Sequence, residues 1–248
     1  MLQGARPAPP ASVNYLKGMP ADLGVMMNGP SSDNPPGSPD GLGDCTCAAC
    51  GHALQIWSFN ALGAMDHIPD KAIEGLYETQ GYVPGEPWTD NGANEQSVLT
   101  QWLKGGLDGN KLAAFVEIGT ENSLNLKSAI WECGVVYNGF NVPAYLQDLE
   151  APGSVWDVPG SSGISASADT TILGGHCTLW PGYAPDGQNI MWTVQSWGYT
   201  YYMTPAFVAA YVDEAYCLAD ALWLTKTGYT VAGKTLTQLE QLMQLLKS

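Results

Sequence analysis

Between Cys45 and Ala64 the chain carries a run whose apolar residues, Ala49, Ala53, Ile56, Trp57 and Leu62, recur at helical spacing. Few charges interrupt it, so this helix has to be buried at the centre of a fold rather than laid on its surface. Two helices are expected to follow. One starts at Pro69-Asp70 and ends before Gly81; the next opens at Asn94-Glu95-Gln96 and stops at Gly105-Gly106. Asn125 reads as the cap of a further helix running to Cys133, with Gly134 beyond its end. Leu112–Ile118 reads as a strand.

The second half changes character. Val135–Asn141 reads as a strand, as do His176–Tyr183 and Ile190–Ser196, the last two joined across Pro185-Asp186-Gly187. Asp157–Ser167 is loop-like, Thr204-Pro205 opens a short helix, and Ala215–Leu218 resumes as strand. Helices first and strands second define an α+β class. Three segments are expected: a Pro/Gly-rich N-terminal arm at 1–40, a main domain at 41–230, and an amphipathic C-terminal helix at 231–248. The arm, with its run Gly29-Pro30-Ser31-Ser32-Asp33-Asn34-Pro35-Pro36-Gly37, is either flexible or an extended strap over the domain. The C-terminal helix carries Leu236, Leu239, Leu242, Met243 and Leu246 on one side, for packing on its own domain.

Charge narrows the function classes. A formal net charge of −15, with only nine Lys and Arg, repels phosphate backbones and anionic headgroups. Neither nucleic acid nor a membrane surface is an expected partner. Arg6, Pro7, Pro9 and Pro10 break up the N-terminus, so no signal peptide is read there, and a cytoplasmic setting follows. Six cysteines are too few for a disulfide scaffold, and Cys133, Cys177 and Cys217 read as buried free thiols.

Two distant segments carry the chemistry. Gly43–Leu54 places Cys45 where a loop turns into a helix, and Gly174–Gly198 places His176 on a strand, with Gln195 on the next. The first turn of a helix favours a thiolate, a histidine can hold and return the proton, and a third polar group orients the ring. Cys45, His176 and Gln195 fill these roles in that order. Cys50 is the alternative nucleophile, but a thiol inside a helix loses the free amides of the first turn. His52 lies two turns along from Cys45 and is read as a packing residue. A zinc site from Cys45, Cys47, Cys50 and His52 would need ligands converging from a loop, where a helix is expected, so neither metal nor other cofactor is expected.

Cys45 with its helix, Pro69–Tyr77, Gly174-Gly175-His176, Gly182-Tyr183 and Ser196-Trp197-Gly198 together resemble the papain-like cysteine peptidases. The resemblance spans Gly43–Gly198, and its wording is similar to uncharacterised papain-like proteins of bacteriophage and bacterial genomes. It implies a helical lobe opened by Cys45 meeting an antiparallel β lobe that carries His176. It also implies that Trp197 lines the substrate site and shields the histidine from water. Two departures stand out: Pro39 occupies the position of the family's glutamine oxyanion donor, and Gln195 that of its histidine-orienting asparagine. Asp44, next to the thiol, would raise its pKa if turned inward. Two functions follow from the resemblance. One is a peptidase or amidase acting on a peptide or acyl substrate; the other is a catalytically silent module in a protein assembly, such as a phage virion, docked through its N-terminal arm.

Overall fold

The computed structural model describes residues 8–24, 41–161, 163–187 and 189–246. Pro39 and the proline-rich run from Gly29 to Gly37 lie outside them. In chain order the elements are β1 (Val13–Asn14), α1 (Cys45–Leu62), α2 (Asp70–Glu78), α3 (Glu95–Gly105), β2 (Leu112–Glu117) and α4 (Ser123–Cys133). There follow β3 (Val136–Pro143), β4 (Val155–Trp156), β5 (Ile172–Asp186), β6 (Asn189–Ser196), β7 (Tyr199–Met203), α5 (Pro205–Tyr211), β8 (Val212–Asp220) and α6 (Leu236–Leu246). The α+β expectation is met: a helical lobe faces a sheet ordered β2-β8-β3-β5-β6-β7-β4, antiparallel except where β4 joins β7.

Helix α1 is buried continuously from Thr46 to Ser58, as an all-round apolar helix must be. It ends at Gly63, whose left-handed backbone returns its N–H to Phe59. The helix is pinned from both sides. Tyr137 of β3 donates its hydroxyl to the Thr46 carbonyl at 3.0 Å, and the Trp57 indole N–H donates to Cys133 O at 2.7 Å. Each of these carbonyls is buried, so loss of its donor would cost on the order of 1–3 kcal/mol.

Several boundaries differ from the sequence reading. Asn122, not Asn125, caps α4, accepting from the N–H groups of Leu124 and Asn125. Strand β5 starts at Ile172 rather than at His176, because Gly174 and Gly175 pair with β3 without needing apolar side chains. Strand β7 was hidden in an aromatic run whose inward residues are Tyr201 and Met203. The C-terminal helix packs on its own domain as expected, burying Leu239, Leu242, Met243 and Leu246. Lys234, just before it, forms a 3.0 Å ion pair with the buried Glu132. No helix among the described residues is long and apolar enough to cross a membrane.

Of the two forms open to the N-terminal arm, residues 8–24 take the strap. Val13 and Asn14 pair with Tyr183 and Gly182, extending the sheet at the part of β5 that β3 does not reach. Tyr15 donates its hydroxyl to Trp131 O, and Asn60 of α1 donates to Tyr15 O. Further along, Leu23 gives its N–H to Gly198 O and takes the Gln55 amide on its carbonyl. One strand of backbone thus touches the central helix and the β6–β7 turn together.

That turn tolerates little change. Trp197 and Gly198 both have positive φ, +47° and +77°, which closes the hairpin between Ser196 and Tyr199 in two residues. A Cβ on Gly198 would also stand 2.5 Å from Gly24 O. Gly198→Ala is therefore expected to destabilise the fold by ~1–3 kcal/mol and to detach the strap. Urea unfolding, with amide exchange at Leu23, reads both effects.

Candidate active site

Cys45 is the first residue of α1, and its thiol is half-buried. The preceding Asp44 stands at the N-cap position without capping, so it leaves the first amides of the helix to others. The backbone amides of Cys177, on β5, and of Thr46 act on the Cys45 thiol in the direction that favours the thiolate. Cys177 is the residue after His176. Helix α1 packs against β5, the strand that carries His176.

Around His176 the geometry is specific. Its Nε2 lies 2.8 Å from Ser196 Oγ. The Trp197 indole stacks on the ring, 4.8 Å between centroids and 23° between planes, and Phe140 meets it edge-on at 5.6 Å. The left-handed backbone of Trp197 is what folds the indole back over the imidazole. Trp197 is thus beside the histidine.

Gln195 is not the ring's partner. Along a strand, neighbours point to opposite faces, and it is Ser196 that shares a face with His176. Gln195 is buried and its Nε2 has no hydrogen-bond partner. Sequence reasoning missed Ser196 because it matched the wording of the motif rather than the register; Leu179 pairs with Gln195, which carries Ser196 onto the histidine's side.

The electrostatics describe a neutral resting site. Burial pushes the Cys45 thiol up to about 12, with the Asp44 and Glu95 carboxyls adding to the rise and the Cys177 and Thr46 amides opposing it. Burial alone lowers His176 to about 4. The hydrogen bond of the ring goes to Ser196, and among the described residues none joins the imidazole to the Cys45 thiol. Asp44 is fully buried, both its oxygens lack partners, and its own pKa is driven well above the carboxylate range by burial, then by Asp90, Asp70 and Glu74. Burial thus favours its neutral form.

The rival groups turn elsewhere. Cys50 donates its thiol to Thr46 O inside α1. His52 donates Nδ1–H to Gln55 Oε1, and burial lowers it to about 4. Next to His176 a cavity of about 280 Å³ opens between Phe140, Val142, Leu146, Leu173 and Trp197. Its walls are mainly apolar.

Against solved structures, the chain is similar to xylellain, a cysteine protease from Xylella fastidiosa. The TM-score is 0.60 at 14% identity, over 85% of this chain and 86% of that one. It is also similar to digestive procathepsin L 3 of the Tenebrio molitor larval midgut, with a TM-score of 0.57 at 12% identity, over 88% of this chain and 72% of that one. No family model and no curated protein matches the sequence. The fold is that of the papain-like cysteine proteases.

The neutral site has a measurable signature. A histidine whose folded pKa lies below its unfolded value of 6.5 binds its proton more readily in the unfolded chain. The stability it contributes is complete above about 6.5 and is lost as the pH falls towards 4. Imidazole resonances of His52 and His176 followed by NMR are expected to titrate near 4. Midpoints near 6.5 would show both rings to be solvated.

Proposed function

We propose that the protein is a cysteine-dependent peptidase or amidase in which Cys45 is the nucleophile, His176 the base and Ser196 the residue that orients the base. The observation that carries this reading is the setting of His176, hydrogen-bonded to Ser196 and stacked under Trp197 on β5, the strand against which the helix opened by Cys45 packs.

The roles follow from the geometry. With Nε2–H donating to Ser196 Oγ, the Nδ1 lone pair is the site's proton acceptor. Cys45 Sγ attacks the acyl carbon and passes its proton to Nδ1. The carbonyl oxygen becomes an oxyanion, with the amide of Cys45 at the helix start as its nearest backbone donor. As the tetrahedral species collapses, His176 returns the proton to the departing amine and the acyl group stays on sulfur. Water then attacks the thioester, again with His176 as base, and releases the acid and the free thiol. Trp197 covers the ring and keeps bulk water from Nε2. The apolar cavity beside His176 receives the leaving-group side of the substrate, with Leu173 and Phe140 in its wall.

A second reading is favoured by a specific observation. A thiol near 12 facing an imidazole near 4 makes proton transfer between them unfavourable, as in a fold retained for structure. In that reading the module is catalytically silent and contributes surfaces to an assembly.

Turnover of a fluorogenic peptide library separates the two. The enzyme reading expects hydrolysis that Cys45→Ala reduces by about 10⁴-fold or more. It also expects Ser196→Ala to lower kcat by about tenfold, the worth of one neutral hydrogen bond. Absence of turnover, combined with no covalent capture of Cys45 by a peptidyl chloromethylketone, would establish the silent module.

A further inference from the structure

A row of residues crosses three strands beside the thiol. Gly139 of β3 pairs with Cys177 of β5 on one side and with Glu214 of β8 on the other. The three therefore share the face of the sheet on which α1 lies. Glu95, the first residue of α3 in the helical lobe, reaches over this row. Its carboxyl fills the space above Gly139, where a Cβ would collide with Glu95 Oε1 and stand 3.1 Å from Glu214 Cγ. The Glu95 and Glu214 side chains thus lie side by side over Gly139. Both residues are half-buried, so the pair lies at the rim of the sheet, within reach of solvent.

We propose that Glu95 and Glu214 form a proton-held latch that joins the helical lobe to the sheet beside Cys45 and opens access to the thiol when its proton is lost. Two carboxyls packed side by side cannot both ionise in place, so the contact holds only while one of them carries a proton. The groups facing it offer no compensating cation. From β8 come Asp213 and Tyr216, from β3 Tyr137, from β5 Cys177 and from α1 Cys45. The Tyr216 hydroxyl donates to Glu214 Oε2 at 2.6 Å, and the amide of Asn141 holds Asp213 Oδ2 at 2.9 Å. These bonds fix the sheet side of the latch and leave the α3 side as the part that moves. Burial and the Glu214 carboxyl raise Glu95 to about 8, which puts its release near neutral to mildly alkaline pH.

The consequence for the site is direct. Burial is the largest cause of the upward shift of the Cys45 thiol, and an ionised Glu95 left in place would add to it. Opening hydrates the thiol and separates it from that carboxyl by one movement. The proposal deepens the reading of Cys45 as nucleophile, but its test measures access rather than turnover, so an inactive site would leave it standing.

The test compares alkylation of Cys45 by iodoacetamide and by a maleimide carried on polyethylene glycol, mapped to the residue by mass spectrometry. The other cysteines are buried. Both reagents react with the thiolate, so the bulky-to-small rate ratio cancels the ionised fraction and reports steric access. In the wild-type chain the ratio is expected to rise severalfold between about pH 6 and about pH 9. In Glu95→Gln the amide donates to the Glu214 carboxylate without titrating, and the ratio is expected to stay low throughout; Glu214→Gln is the equivalent from the other side. Tm supplies the second readout. The folded wild type binds its proton up to about 8, against 4.5 for an unperturbed glutamate, so its stability falls relative to Glu95→Gln as the pH rises through that window. A flat ratio in the wild type would overturn the latch, as would an equal rise in both glutamine variants.

Discussion

Burial of α1 is the constraint on which the rest depends. A helix apolar on every side cannot lie on a surface, so the chain has to supply cover all round it. The helical lobe covers one flank and the sheet another, while the strap closes a third through Asn60 and Gln55. The seam between the covers is where α1 begins. Cys45 occupies that seam because it is the first helical residue, and the same packing that makes the helix stable takes water away from its thiol.

This couples stability to chemistry in an awkward way. The helix start offers the partial positive charge and open amides that a thiolate wants. Enclosure by β5 and the carboxyls of Asp44 and Glu95 pushes the other way, and burial wins. Asp44 shows the same tension: a carboxyl with no hydrogen-bond partner, tolerated only because it is held neutral. The ground state favours the packed, uncharged form of every titratable group at the centre.

Much of this was legible in the sequence, and what was not has identifiable causes. The order of helices and strands, the start of α1 at Cys45 and the His176 strand follow from local periodicity and punctuation, which depend on near neighbours. Ser196 escaped because strand register is a property of pairs. The residue opposite Leu179 decides which of two adjacent polar side chains faces the histidine, and no single strand records that. Glu95 read only as the start of a helix; its meeting with Glu214 depends on how α3 is laid over Gly139. Asn122 was passed over as a cap because Asn125, equally suitable in kind, lay within the same polar run. Nor did the proline content of the arm reveal that Val13 and Asn14 would find an open edge on β5.

The strap also bears on how the molecule is made. Val13 and Leu23 leave the ribosome early, but their partners at Tyr183 and Gly198 are among the later parts of the chain. Long-range pairings of this kind are slow to form, because the loop between them must close first. Until the β6–β7 turn has been synthesised, the early segment has nothing to bind, and the Trp197 cover over His176 does not yet exist. A nascent chain thus carries the helix opened by Cys45 before the strand of His176 exists, so the order of translation sets the order in which the two can pack.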